Sequence, residues 1–315
     1  MRASKGAHVV LAGSALPVAE GQTEPAALLV PKTKDGRVLF AIPWRGQWLI
    51  GTTDTEADPN DVPALLPDEA AYLLDHVNQY IHSPVPIESL TGGFAGLRPL
   101  LQADPGAASQ SLVRDHEVEI DEKSGLVSIM GGKWTTYRLM AQETIDACCK
   151  LLQASARLTG TLPACQTETL LLQGAEGYND TYRQHLTKSY PEYPADVLDH
   201  LANTYGTDAL NVLRLLREDR DWLARLAAGH PFIQAEVIYA ARVEMAQTLP
   251  DVLMRRIRLG LIDWRATLEA LPVTARLLAV ERNWSPEYME RAEADFRSHI
   301  EGLMEKAMGV ALPNL

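Results

Sequence analysis

The stretch SIMGGKWTTYR, residues 128–138, passes from an apolar strand through two adjacent glycines into a helix. Glycine has no Cβ, so another group can approach the backbone closely at Gly131 and Gly132. The first N–H groups of a helix have no partner within it and carry partial positive charge. A cation and two hydroxyls add to the predicted helix start: Lys133, Thr135 and Thr136. The stretch predicts a place that stabilises an anion or a carbonyl oxygen, although a capped turn with a solvated lysine would have the same sequence.

Apolar patterns on the N-terminal side of this stretch predict an antiparallel meander. Short apolar runs at 28–30, 38–42 and 48–50 are separated by turn residues, and the pair Asp35-Gly36 is typical of a hairpin turn. Further strands are predicted within 89–101, 111–120 and 126–130. An amphipathic helix is predicted after Pro67, within residues 68–81, and its apolar positions are Leu73, Leu74, Val77, Tyr80 and Ile81.

The second half of the chain has a different character. From about Leu170 the sequence is typical of helices, with predicted stops at Gly206, Gly229, Pro250 and Pro272. The polar segment TGTLPACQTET, residues 159–169, precedes this region. These features predict an α+β fold with two domains. Residues 1–155 would form a partial antiparallel sheet with the strand, turn and helix described above, and residues 168–315 an all-helical domain.

Composition limits the classes of function. The 315 residues are 46% hydrophobic and 22% charged, which is typical of a soluble globular protein. A net charge of -12 argues against a nucleic-acid partner. No apolar run approaches the ~20 residues of a membrane-spanning helix, and no convincing signal peptide is present, so the predicted location is cytoplasmic. The cysteines and histidines have no metal-ligand spacing, and no metal is predicted.

Two arginines add to the candidate site. Arg98 precedes a proline, which favours an extended backbone at the arginine. Arg114 stands at the start of an alternation of polar and apolar residues, with Asp115 beside it. Each arginine alone would most often form a surface ion pair. Together with the glycine turn, they indicate a site for an anionic substrate.

Six strings resemble, in order and spacing, motifs of the FAD-dependent glycerol-3-phosphate dehydrogenases. They are SKGAHVV (4–10), DGRVLFAIPW (35–44), IGTTDT (50–55), GLRPL (96–100), RDHEV (114–118) and GGKWTTYR (131–138). The helical remainder, including residues 240–261, is similar to the C-terminal helical domain of that family. The resemblance extends over roughly residues 2–300, and the combination of strings is far more specific than any one of them.

The resemblance implies a flavoprotein in which this region supplies the sheet of the substrate domain and the segment that faces the flavin. It implies FAD as the cofactor, sn-glycerol 3-phosphate as the substrate, and quinone or another electron acceptor. It also implies a peripheral contact with the inner face of the cell membrane. The residues implied to be catalytic are His8, Arg98, Arg114 and Lys133. The implied flavin contacts are Gly131, Gly132, Lys133, Thr135 and Thr136.

These residue types suit the oxidation of a phosphorylated alcohol. The planar guanidinium group of Arg98 or Arg114 could bind phosphate oxygens in a bidentate way. Lys133 at a helix N-terminus would favour negative charge on the N1/O2 edge of the flavin. Nearby cations would favour the neutral form of His8, which could then accept the hydroxyl proton. A partly buried histidine without a catalytic part is the alternative for His8.

The family also has an N-terminal strand, GxGxxG turn and helix that bind the ADP part of FAD, and these 315 residues contain no such segment. We therefore expect either a longer reading frame or a second polypeptide to supply the FAD-binding half. A non-catalytic remnant, or an interaction module built on the helical domain, is the alternative function.

The chain by itself is predicted to bind FAD weakly or not at all, because contacts to the pyrophosphate and the adenine would be missing. After incubation with FAD and repeated ultrafiltration, we expect less than one flavin per protein in the visible absorption spectrum. A stoichiometric flavin spectrum that survives this step would contradict the prediction.

Overall fold

The structure is a computed structural model that describes residues 2–16, 25–33, 36–100 and 115–309. Strands fill much of the first half and helices most of the second, so the predicted α+β class is confirmed. The strands are β1 (Arg2–Leu11), β2 (Leu28–Val30), β3 (Leu39–Trp44), β4 (Gln47–Gly51), β5 (Thr55–Ala57), β6 (Leu90–Leu100), β7 (His116–Ile120) and β8 (Val127–Gly131).

The strands pair in two sheets. The larger sheet has the order β2-β3-β4-β1-β5, with β6 also paired to β1, and β7 and β8 form a separate hairpin. Strands β2, β3 and β4 are antiparallel neighbours in chain order, which confirms the predicted meander. Gly51 is opposite Phe40 in the β3–β4 pair and opposite His8 in the β1–β4 pair. This register brings two rings to the same glycine.

The helices are α1 (Pro67–Asn78), α2 (Tyr137–Ala154), α3 (Asp180–Ser189), α4 (Ala195–Tyr205), α5 (Ala209–Leu215), α6 (Gln234–Arg242), α7 (Leu259–Ile262), α8 (Trp264–Arg282) and α9 (Pro286–Met308). The two longest of these helices begin with a capping side chain. The Asp263 side chain accepts a hydrogen bond from the Ala266 N–H at the start of α8, and Ser285 does the same for Tyr288 in α9. A π-helix runs through Asp251–Arg256.

Three helix boundaries differ from those predicted. Helix α1 ends at Asn78, so Tyr80 and Ile81 lie beyond it. The helix after the glycine turn begins at Tyr137, because residues 134–136 form a tighter 3₁₀ turn first. Pro272 lies inside α8 and does not end it. Proline removes one helical hydrogen bond, but the buried residues around it keep the helix in place: Ala270, Leu271, Thr274 and Ala275.

Contacts divide the chain into two compact units, each made of separate stretches. The first unit contains Met1–Gly6, Asp54–Pro63 and Gly96–Leu171, and the second contains Ala7–Thr53, Ala64–Ala95 and Leu172–Leu315. This grouping differs from the predicted domain organisation, which has a single boundary near residues 155–168. That boundary, and independent folding of the region from 168, stay predictions.

The second unit has a core that joins sheet and helices. One apolar cluster includes Leu39 and Ile50 from the strands together with Leu253, Leu271 and Ile300 from the helical region, all 0% exposed. Another cluster packs α3 to α6 around Leu198 and Leu201. The meander therefore buries its apolar face in the same cluster as the C-terminal helices.

The first unit combines strand pairs with one helix. Strand β5 pairs with the start of β1, with Ser4 opposite Glu56 and Lys5 opposite Thr55. Helix α2 packs on the β7–β8 hairpin. The His116 ring nitrogen Nε2 lies 2.6 Å from Glu143 Oε2, which ties β7 to α2. Apolar side chains of this unit are nevertheless well exposed, including Trp134 at 85% and Ile145 at 60%.

Because one apolar cluster includes both Ile50 and the C-terminal helices, Ile50→Ala is expected to destabilise those helices. Removing a fully buried isoleucine side chain costs about 2–5 kcal/mol of unfolding free energy. Urea denaturation followed by circular dichroism at the helical band should report this loss. Leu29→Ala is the matched control, since Leu29 is 64% exposed and should lose less than about 0.5 kcal/mol. A helical signal unaffected by Ile50→Ala would mean that the region from 168 folds on its own.

Candidate active site

Arg98 lies on β6 in the first unit, and two side chains hold its guanidinium group. Its Nη1 lies 3.5 Å from Asp54 Oδ1 and donates to Ser4 Oγ at 3.4 Å. The Ser4 hydroxyl in turn donates to the same Asp54 oxygen. The Arg98 side chain is 31% exposed, so part of it reaches solvent. The three groups form a triangle that fixes one edge of the guanidinium group.

The guanidinium group lies directly against the backbone of β1. A Cβ on Gly6 would be 2.3 Å from Arg98 Nη2 and 2.6 Å from Cζ, distances at which atoms overlap. Only a residue without a side chain leaves that space free. The glycine of SKGAH is therefore part of the arginine site.

A cleft of about 810 Å³ in the first unit contains several of the predicted site residues. Its lining includes Arg98 from β6, Gly131 and Gly132 from the end of β8, and Lys133. Apolar side chains of the cleft come from β8 and from the helical segment that follows: Ile129, Trp134, Tyr137, Met140 and Ile145. The Trp134 and Tyr137 rings stack with centroids 5.3 Å apart. The lining of the cleft thus includes two cationic side chains together with several apolar and aromatic ones.

The predicted glycine turn between β8 and the following helical segment is present. Gly131 and Gly132 have φ of 69° and 85°, in the region that favours glycine. A Cβ at Gly132 would also lie 2.6 Å from Met140 Sδ and 3.1 Å from His116 Cβ. Gly132 therefore serves both the turn and the packing of α2 on β7.

The other residues of the predicted flavin contact have less central places. Lys133 is exposed and precedes the 3₁₀ turn. Thr136 donates its hydroxyl to the Lys133 carbonyl at 3.0 Å. No side-chain cap is formed at the start of this 3₁₀ turn or at the start of α2. The described lining of the cleft includes neither Thr135 nor Thr136. Their contact with a flavin stays a prediction.

His8 lies on β1 in the second unit, enclosed by aromatic rings and a glycine. Its ring stacks on Phe94 at a centroid distance of 4.9 Å, and the Phe40 ring is 5.8 Å away. A Cβ on Gly51 would be 2.1 Å from His8 Cδ2 and 2.6 Å from Nε2. The strand register and the missing side chain at Gly51 together fix the imidazole. Its catalytic part stays a prediction, and Arg114 lies outside the described residues.

Another group of titratable side chains, in the second unit, has a structural explanation. Glu236 is fully buried and accepts hydrogen bonds from His200 Nε2 at 2.8 Å, the Tyr205 hydroxyl at 3.0 Å and the Ile233 N–H at 2.8 Å. Burial, followed by the nearby Glu236 carboxylate, raises the pKa of Tyr205 well above its usual value. The Ile233 contact caps α6, so this cluster joins α4 to α6.

Two features concern metal binding and membrane insertion in the part of the chain that the structure describes. There, no three His, Cys, Asp or Glu side chains lie close enough together to hold a metal ion. Among the same residues, no helix combines the length and apolar character needed to cross a bilayer.

Family models match most of the chain. Residues 1–138 match the FAD dependent oxidoreductase family, and residues 165–289 match the C-terminal domain of alpha-glycerophosphate oxidase. Similar sequences include the probable mitochondrial glycerol-3-phosphate dehydrogenase of Dictyostelium discoideum, which is 34% identical over 312 residues. The chain belongs to the family of FAD-dependent glycerol-3-phosphate dehydrogenases. The predicted resemblance is confirmed.

The chain spans about half the length of the glycerol-3-phosphate dehydrogenases that it matches. The Dictyostelium alignment covers 96% of this chain and 47% of the relative. The human mitochondrial glycerol-3-phosphate dehydrogenase is 34% identical, with 99% of this chain and 43% of the relative aligned. The structure of the glycerol-3-phosphate dehydrogenase from Bacillus halodurans complexed with FAD is similar at a TM-score of 0.76 and 25% identity, with 100% of this chain and 58% of that chain covered.

Several residues next to Arg98 or His8 were not predicted from the sequence. Ser4, Gly6 and Asp54 surround Arg98, and Gly51 and Phe94 surround His8. Gly6 and Gly51 could have been recognised, because an isolated glycine inside a strand often marks a position where another group approaches the backbone closely. The partners of each glycine are distant in sequence, and no local pattern connects them.

Gly132→Ala is expected to destabilise the first unit, because the new methyl group meets both a positive φ and the Met140 side chain. Backbone strain and crowding of this kind cost about 1–3 kcal/mol. Gly125→Ala is the matched control. It has a similar φ of 73°, but its Cβ would lie 3.7 Å from Leu151. Limited proteolysis of the hairpin and α2 should be clearly faster for Gly132→Ala, and equal rates for the two variants would contradict this account of the turn.

Proposed function

We propose that this chain supplies the substrate-binding and flavin-facing surfaces of a dehydrogenase that oxidises sn-glycerol 3-phosphate to dihydroxyacetone phosphate. The observation that carries the proposal is the cleft in which Arg98 and Lys133 accompany the Gly131-Gly132 turn. Membership of the family and the names of the relatives support the substrate.

The residues present fit a flavin. The cleft volume of about 810 Å³ falls in the range of ~300–1,000 Å³ usual for cofactor and small-molecule sites. Two glycines leave the backbone open, and the Trp134 and Tyr137 rings supply an apolar wall. We infer that Gly131, Gly132 and Lys133 would contact the ring system, with Thr135 and Thr136 next to them.

The reaction removes a proton from the C2 hydroxyl group and a hydride from C2. A bound FAD would supply the hydride acceptor. An imidazole nitrogen of His8 would take the hydroxyl proton. Arg98 and Arg114 would bind the phosphate oxygens and hold the substrate still. The ammonium group of Lys133 would stabilise negative charge at the edge of the cleft.

Repeated turnover requires a second oxidant that accepts the two electrons. We propose a quinone or another small electron acceptor for this part of the cycle. A peripheral contact with the inner face of the cell membrane would bring the protein to a quinone. The alternative function, a non-catalytic interaction module built on the helical domain, requires no saturable binding of the substrate.

Substitutions should separate into two kinetic classes in an enzyme formed by joining the FAD-binding segment of the Bacillus halodurans protein to this chain. Arg98→Ala should raise KM for glycerol 3-phosphate and affect glycerol, which has no phosphate, much less. Arg114→Ala should behave in the same way. Lys133→Met should leave KM closer to normal and lower the limiting rate. Loss of a charge-assisted contact is worth about 1.5–3 kcal/mol, or roughly ten- to a hundredfold.

Stopped-flow measurement of substrate oxidation against substrate concentration distinguishes the classes. Lys123→Met, on the β7–β8 turn, is the control for loss of a lysine in the same unit and should change neither constant. Equal changes of KM and limiting rate in Arg98→Ala, Arg114→Ala and Lys133→Met would refute the division of roles. A fused enzyme that carries FAD but does not oxidise or bind the substrate would refute the proposed function.

A further inference from the structure

Asp54 occupies a position that the β1–β5 pairing defines. The register places Lys5 opposite Thr55 and Ser4 opposite Glu56, so its continuation puts Asp54 opposite Gly6. Gly6 is the residue whose open face the Arg98 guanidinium group covers. Asp54 therefore contacts Arg98 beside the glycine against which the guanidinium group packs.

We propose that Asp54, together with Ser4 and the bare backbone at Gly6, positions Arg98 to bind the phosphate group of the substrate. This inference rests on the function proposed above. Asp54 and Ser4 both contact Arg98 Nη1, at 3.5 Å and 3.4 Å, and these contacts fix that edge of the guanidinium group. The Asp54 side chain is only 14% exposed, whereas that of Arg98 is 31% exposed. The Asp54 side chain is thus the more buried member of the pair, and part of the Arg98 side chain is accessible to solvent.

An acidic neighbour could instead weaken an anion site by neutralising its cation. The two roles predict opposite results when the carboxylate is removed. If Asp54 mainly offsets the charge of Arg98, its loss leaves a more positive site and tightens phosphate binding. If Asp54 positions Arg98, its loss frees the side chain and weakens phosphate binding. The second result is the one that we expect, because Asp54 Oδ1 contacts both Arg98 Nη1 and the Ser4 hydroxyl, so its loss removes two of the three contacts that hold the guanidinium group.

Gly6→Ala tests the positioning role with little risk to the fold. The three atoms nearest to the new Cβ would all belong to the end of the flexible Arg98 side chain, which can move aside. Asp54→Ala tests the same role from the carboxylate, and Asp54→Asn keeps the shape while removing the charge. In the FAD-loaded fused enzyme, Gly6→Ala and Asp54→Ala should each raise KM for glycerol 3-phosphate and the inhibition constant of inorganic phosphate roughly tenfold, with kcat nearly unchanged. For Asp54→Asn, KM and the inhibition constant of phosphate should lie between the values of these two variants and those of the unsubstituted enzyme.

A double-mutant cycle makes the dependence on Arg98 explicit. In the Arg98→Ala background, Asp54→Ala should add no further loss of phosphate affinity, because its effect acts through the arginine. Asp196→Ala is the matched control, since it removes the carboxylate from another arginine pair, with Arg225 at 2.8 Å. Asp196→Ala should leave KM for glycerol 3-phosphate and the inhibition constant of phosphate unchanged.

The outcomes separate this inference from the proposed function. If Arg98→Ala has no effect on KM or on phosphate inhibition, the phosphate role of Arg98 is wrong, and the inference is wrong with it. If Arg98→Ala weakens phosphate binding but Gly6→Ala and Asp54→Ala do not, or if they tighten it, the inference alone is overturned. A fall in kcat without a change in the inhibition constant of phosphate would also overturn it.

Discussion

Two of the candidate catalytic side chains lie directly against strand backbone, at positions where a Cβ would overlap them. Arg98 does so at Gly6 in the first unit, and His8 does so at Gly51 in the second. Strands hold their backbone atoms in place through paired hydrogen bonds, so a side chain pressed against them has few alternative positions. The orientation of both groups therefore follows from the register of the sheet, and an error of one residue in that register would abolish it.

The register itself is maintained by burial in the second unit. Strands β3 and β4 contribute Leu39 and Ile50 to the cluster that also contains Leu253, Leu271 and Ile300. Shifting a strand by one residue would turn its apolar side chains away from this cluster. The C-terminal helical region therefore contributes to the pairing of His8 with Gly51, although its residues are far from both in sequence. Within the second unit, the helices therefore stabilise the sheet, and the sheet orients the His8 side chain.

Local chemistry explains which parts of this arrangement the sequence could predict. The meander, the β7–β8 hairpin and the turn at Gly131-Gly132 depend on residues near one another in the chain, and each was predicted. Pro272 was predicted to end a helix because intrinsic preference disfavours proline there, but burial of the surrounding helix outweighs that preference. Arg98 is 94 residues from Ser4 in sequence and about half as many residues from Asp54. Only the folded sheet reveals these contacts.

In the role proposed for the Arg98 triangle, an acidic partner would assist a cation that binds an anion. Two unit charges ~7 Å apart, about the separation across a guanidinium group, interact by roughly 0.6–2.4 kcal/mol between the dielectric of water and that of a protein surface. This is the scale on which Asp54 would repel a phosphate bound to Arg98, and salt reduces it further. A free arginine side chain carries about 2 kcal/mol of rotamer entropy, which binding must overcome if the protein has not already ordered it. The repulsion from Asp54 and the ordering of Arg98 are therefore similar in size. Ser4 and Gly6 add order at Arg98 without adding repulsion, so in this role the ordering outweighs the repulsion.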